Sequence, residues 1–207
     1  FCGQDLRLTT LNNANFSSSK LMDTDLSYQN TLEGTKFIDN ANLTRANFCE
    51  ANVSGVNFNN GIIHSIDFYK AQDLVKADYR FSSLDDSDFS GSSIENIDFT
   101  GITSMKNTRF INSKLTDAIF KNTNIGLANF SGAILSNIDF ITTKETNSAS
   151  FVSTKIDNTI FSNINLQGTN FSHTSDIGSR ANFNGANMIN SVLRNADLCG
   201  TLFKKSI

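Results

Sequence analysis

The chain has 207 residues, 39% of them apolar and 18% charged, with a formal net charge of −3 and eighteen Phe beside no Pro and no Trp. That mild acidity, with an isoelectric point near 5.3, gives no electrostatic reason to expect nucleic acid or an anionic membrane as a partner. No stretch has the pattern of a membrane span or a secretory leader, and Cys2, Cys49 and Cys199 are too few and too scattered for a disulfide framework or a zinc site.

From Phe1 onward a large apolar residue returns at every fifth position: Phe1, Leu6, Leu11, Phe16, Leu21, Leu26. The spacing lengthens to six into Leu32 and again into Leu43, between which lies Phe37. Strict fives follow through Phe48, Val53, Phe58, Ile63 and Phe68. A six-residue step leads to Leu74, Tyr79, Leu84, Phe89, Ile94 and Phe99, and another to Met105, Phe110, Leu115, Phe120, Ile125, Phe130, Leu135 and Phe140. The weakest link is Thr146, in a Thr-Thr-Lys-Glu-Thr-Asn run without an apolar centre. Phe151, Ile156, Phe161, Leu166, Phe171, Ile177, Phe183, Met188, Leu193, Leu198 and Phe203 complete the series, with six-residue steps into Ile177 and Phe183. A period of five is neither the 3.6 of an amphipathic helix nor the 2 of a half-buried strand. It requires a backbone that turns regularly, a repeat solenoid, and one running through all of residues 1–207 makes a single elongated domain.

The clearest stretch reads Ala41-Asn42-Leu43, Ala46-Asn47-Phe48, Ala51-Asn52-Val53 and Val56-Asn57-Phe58, each unit followed by two mostly polar residues. This pattern resembles the pentapeptide-repeat family, whose units read Ala-Asp/Asn-Leu/Phe-X-X. The resemblance implies an all-β fold, a right-handed, four-sided parallel β-helix with one unit per side. About forty units then make about ten coils, a rod roughly 48 Å long at ~4.8 Å per coil.

Sorting the centres by fours tests that geometry. The first column is mainly aliphatic, from Phe1 and Leu21 to Met188, and the second runs from Leu6 and Leu26 through Phe48 and Phe171 to Leu193. The third, Leu11 to Leu198, is wholly aliphatic, and the fourth, Phe16 to Phe203, wholly aromatic. Two aromatic ladders therefore lie on opposite sides of the square. Of seven six-residue steps, three follow the second column (into Leu32, Leu74 and Ile177) and three the fourth (into Leu43, Met105 and Thr146), which predicts bulges at diagonally opposite corners; the step into Phe183 departs from the rule. A second inward residue stands two before each centre, usually small, as in Ala14, Ala46, Ser87, Thr108, Ala118, Ala128 and Ala196. Ile66, Ile97, Ile138 and Ile164 at the same position call for local widening.

Catalytic constellations are not apparent. His64 and His173 follow centres on different columns, about five coils apart, which excludes a shared metal or base. Asp85, Asp86 and Asp88 form the densest acidic group but lack a calcium-loop pattern and read as a solvated face. Asn-X-Ser sequons such as Asn15-Phe16-Ser17 and Asn170-Phe171-Ser172 follow from the repeat itself. No cofactor is indicated. Outward apolar residues carry more information: Tyr28, Tyr69 and Ile111 project from one side at alternate coils, Val75 and Phe81 lie round the neighbouring corners, and Lys70, Lys76 and Arg80 lie among them. An aromatic and basic patch of this kind suits protein docking.

The expected function is accordingly a non-enzymatic protein-interaction scaffold. The sequence opens with Phe1 inside a repeat and shows no capping helix at either end, so it reads as a piece excised from a longer protein. An uncapped solenoid exposes core and strand edges, so a flanking domain or an end-to-end dimer is expected to cover them. The resemblance then points to the β-helix modules of secreted bacterial effectors that bind host proteins. The alternative it implies is a DNA-mimicking modulator or protector of DNA gyrase, against which stand the mild charge and the absence of a helical cap after Phe203. Either reading places a soluble protein in a bacterial cytoplasm or exports it to a host cell, with a protein partner, no nucleic acid and no membrane.

Overall fold

The structure is a computed structural model that describes residues 1–175 and 181–207; the centre expected at Ile177 lies outside the described residues. Each backbone unit pairs in parallel with the unit twenty to twenty-two residues further on, as in Asn42 with Ile62, Asn47 with Asp67, Asn52 with Gln72 and Asn57 with Asp78. Those four pairs belong to four separate ladders, so four units make one coil. The ladder residue is the one immediately before the centre, except at Gln72, where Asp73 intervenes before Leu74, and its N–H and carbonyl groups bond the coils above and below. Phe48 N–H, for example, donates to Asp67 O at 2.7 Å, and Asn47 N–H to Thr24 O at 3.0 Å.

Local chemistry explains the five-residue grammar. Each centre starts a tight turn: Ala46 N–H donates back to Leu43 O at 2.8 Å, Ala51 N–H to Phe48 O at 3.0 Å and Gly61 N–H to Phe58 O at 2.9 Å. The second residue after the centre is left-handed, with φ of 60° at Arg45, 56° at Glu50, 70° at Gly55 and 55° at Asn60. Gly, Asn and Asp tolerate that conformation best, hence their recurrence there. Asn or Asp before the centre has a different task. Its Oδ1 accepts the N–H of the residue after the centre, from Asn42 to Thr44 at 3.0 Å through Asn57 to Asn59 at 2.8 Å. This bond satisfies a turn donor that the ladder leaves over.

Inside the coil the centres meet. Phe37, Phe48, Phe58, Phe68, Phe89, Phe99 and Phe110 are fully buried, as are the aliphatic centres between them. Rings within a column stack, Phe110 on Phe130 at 5.0 Å and Phe140 on Phe161 at 5.1 Å. Rings of the two columns also touch edge to face, Phe110 with Phe120 at 6.1 Å and 89°, and Phe120 with Phe130 at 5.8 Å and 84°. Thus the two aromatic ladders on opposite sides interlock across the middle rather than standing apart. Thr146 takes its inward place and remains only 2% exposed, its hydroxyl donating to Asn165 O. The inward Thr and Ser residues two before the centres do likewise, as Thr35 does to Leu11 O at 2.8 Å and Thr108 to Leu84 O at 2.9 Å. Burying these hydroxyls therefore leaves no unmet donor.

Six-residue steps enter the coil in two ways. After Phe37 the extra residue widens the turn, with both Asp39 and Asn40 left-handed. Before Leu74 the small inward residue Ala71 and the ladder residue Gln72 keep their places, and Asp73 loops out with φ 54° to open a 3-10 turn over Leu74–Lys76. That bulge therefore lies on the approach to the third side rather than at the corner left behind. Ile66, Ile97, Ile138 and Ile164 are accommodated inside, none more than 7% exposed. Towards the two ends the centres emerge, Phe1 at 62% and Phe203 at 37% exposure.

Candidate docking surface

On the second side, two depressions divide the residues the sequence singled out. Tyr69, Lys70 and Ile111 line one of them together with Asp88, Arg109 and Gly91. Tyr69 immediately follows centre Phe68, and its N–H is held by Asp67 Oδ1 at 2.8 Å, which fixes the base of the side chain. Lys70 is left-handed, with φ 52°, and places its ammonium 5.0 Å from the Tyr69 ring centre. A Cβ at Gly91 would lie 3.3 Å from Lys70 Cγ and 3.8 Å from the Tyr69 ring, so the missing side chain leaves the floor on which both rest. Tyr28 lies two coils away in the other depression, beside Arg7 and Leu8.

The remaining candidates lie elsewhere. Val75 and Lys76 belong to the third side, and Arg80 and Phe81 to the fourth, half a coil from Tyr69 and therefore facing away from it. Two units along the chain, a near neighbour in sequence, is the far side of a four-sided coil. Local ion pairs further reduce the basic character. Arg80 grips Asp78 through two bonds of 2.9 and 2.7 Å, and Lys76 reaches Asp73 at 3.1 Å. The Arg80 guanidinium holds the Asp78 carboxyl below its ordinary range. At Asp88 burial pushes the pKa up, yet bonding to Arg109 and Ser90 outweighs it and leaves the carboxyl below its usual value. Phe81 is 64% exposed and left-handed, with φ 62°, an unfavourable conformation for a bulky residue.

Cysteine and acidic groups add little chemistry. Cys2, Cys49 and Cys199 are free thiols, and burial together with the carboxylate of Asp67 pushes the Cys49 thiol up, away from nucleophilic character. Asp86 accepts the amide of Asn107 at 2.7 Å, and Asp85 accepts Lys106 N–H at 2.7 Å, so this acidic group is engaged in tying one coil to the next.

A family model described as pentapeptide repeats matches residues 32–64, 103–141 and 179–205, in eight copies. Pentapeptide repeats thus recur along this chain. Its four ladders are those of the right-handed quadrilateral β-helix that pentapeptide-repeat proteins form. Among solved structures, a trypsin-treated variant of QnrB1, a plasmid-mediated fluoroquinolone resistance protein, is 18% identical over 99% of this chain and 88% of its own, with a TM-score of 0.51. HetL, a pentapeptide-repeat protein involved in heterocyst differentiation regulation in the cyanobacterium Nostoc sp. strain PCC 7120, is 19% identical over 97% of this chain and 90% of its own, with a TM-score of 0.36. Rfr23 from the cyanobacterium Cyanothece 51142 is 20% identical over 52% of this chain and 64% of its own, with a TM-score of 0.32. At these identities the likeness concerns the fold. No curated protein matches the chain in sequence. Among the described residues no helix is long and apolar enough to cross a membrane.

Proposed function

We propose that this pentapeptide-repeat protein is a non-enzymatic interaction scaffold whose second side docks a protein partner, as the binding module of a secreted bacterial effector would. One observation carries the reading: Tyr69 and Ile111, an exposed ring and a half-buried aliphatic side chain, line a single depression floored by Gly91 on the second side. An aromatic anchor of this type gains contact area at little cost in side-chain entropy. Arg109 and Lys70 at its edges supply polar contacts that orient a partner.

A photo-crosslinking residue in place of Tyr69, compared with one in place of Ser131 on the same side, tests this in extracts of the host cell that such an effector would enter. A discrete adduct from position 69 alone supports docking. Adducts of equal yield from both positions, or none from either, contradict it. The gyrase-directed alternative rests on a fold likeness, and here Asp23, Asp78 and Asp88 are each taken up by an arginine rather than left as a continuous acidic face. A supercoiling assay in which stoichiometric protein changes gyrase activity would put that alternative first.

A further inference from the structure

On the fourth side, far from Tyr69, three successive coils build a second depression of about 350 Å³, lined by Ser162, Asn163, Asn182, Asn184, Gly185, Lys204 and Lys205. Its lining contains no carboxylate. Two of the three amide side chains have their acceptors already engaged: Asn182 Oδ1 takes the N–H of Asn184 at 3.0 Å, and Asn184 Oδ1 takes that of Lys204 at 2.6 Å. Their Nδ2 groups are therefore the ends left over for a ligand.

Ser162 supplies the independent observation. Its residue is 7% exposed, and its Oγ is buried without a hydrogen-bond partner. The repeat explains why. In several units the hydroxyl after the centre donates to the Asn or Asp before it, as Ser27 does to Asp25 at 2.7 Å, Thr44 to Asn42 at 2.7 Å and Ser131 to Asn129 at 2.6 Å, although Ser90 beside Asp88 makes no such bond. Before Phe161 that position is Ile160, which has no side-chain acceptor, so the hydroxyl is left without its usual bond.

A hydroxyl, two amide donors and two ammonium groups, with no acidic side chain among them, complement a tetrahedral oxyanion. We infer that this depression binds a phosphate group through Ser162, Asn182, Asn184, Lys204 and Lys205. The site lies on the side opposite Tyr69 and is independent of the docking surface.

Titration of 15N-labelled full chain with inorganic phosphate, followed by backbone amide shifts, tests the assignment. Saturable shifts are expected at Ser162, Asn163, Asn184, Gly185 and Lys204. Lys204→Gln combined with Lys205→Gln should weaken binding about tenfold or more. Ile160→Asn restores an internal acceptor for Ser162 while leaving both lysines in place, and should weaken it about threefold. Lys121→Gln, also on the fourth side, should leave binding unchanged. Shifts spread over all lysines without saturation, or an affinity left unchanged by either the double lysine change or Ile160→Asn, would overturn the inference.

Discussion

The aromatic core has a continuous region and an interrupted one. Around Phe120 every ring has neighbours on all sides: in its own column Phe99 lies tilted at 5.3 Å and Phe140 stacks at 5.4 Å, while Phe110 and Phe130 meet it edge to face at 6.1 and 5.8 Å. Tyr79 occupies the same column but touches only Phe58 at 5.4 Å and Phe68 at 6.1 Å, with no ring contact to Phe99. Its hydroxyl instead donates to Leu74 O at 3.3 Å, beside the 3-10 turn that absorbs an extra residue. A phenol in the core must find an acceptor, and burial pushes its pKa far up, so its one polar atom competes with stacking for the position of the ring. The second column bridges the gap, Phe68 stacking on Phe89 at 5.0 Å. Two interlocked ladders thus tolerate a fault in one of them.

Alanine substitution sharpens that contrast most. Phe120→Ala should cost about 4–5 kcal/mol in urea unfolding and Tyr79→Ala about 3 kcal/mol, the cavity term being similar and the lost ring contacts fewer. Equal losses would mean that ring contacts add nothing beyond burial. A smaller effect is expected from the turn bond common to both regions: Asn129→Ala leaves Ser131 N–H without its acceptor, while Ser131 Oγ keeps Ser150 Oγ at 3.1 Å, and should cost about 1 kcal/mol. Tyr79→Phe should change stability by less than about 1 kcal/mol, because a long hydrogen bond is exchanged for freedom to stack. A loss several times greater would show that the hydroxyl anchors the bulge.

Least of all should acid discriminate the regions. Arg7 bonding holds Asp5 at about 2 rather than the ordinary 3.8, and Asp23, Asp78 and Asp88 are also lowered. Carboxyls lowered in the folded chain contribute stability above their unfolded pKa, and that contribution disappears as they protonate. Stability should thus fall modestly from about pH 4 down through pH 2, and far less at high salt, because these pairs are largely exposed. An unchanged urea midpoint across that window would show that the pairs do not contribute.

Much of the coil was legible in the chain because periodicity alone decides which residues face inward. The fourth column from Phe16 to Phe203 was assigned from spacing, and its members are buried as far as Phe183, with Phe203 emerging at the end. Spacing says nothing about the width of the coil, so the edge-to-face contact between Phe110 and Phe120 was not legible. Nor was the role of Asn42 or Asn57, which depends on a left-handed residue two positions after each centre rather than on burial. At the candidate site, Tyr69 and Ile111 were correctly placed on one side by counting units. Phe81 was placed round a neighbouring corner with Arg80 beside it, whereas the coil carries both to the opposite side. Ser162 left a signal that went unread: Ile160 stands where the repeat normally supplies an acceptor.

The central claim is that one residue of each unit supports the core while the next serves only the surface, and adjacent positions in a single turn test it most directly. Urea unfolding of Phe58→Ala and Asn59→Ala should show a loss of about 3–5 kcal/mol for the first and less than about 1 kcal/mol for the second. Comparable losses from the two would contradict the assignment of inward and outward positions on which the whole account rests.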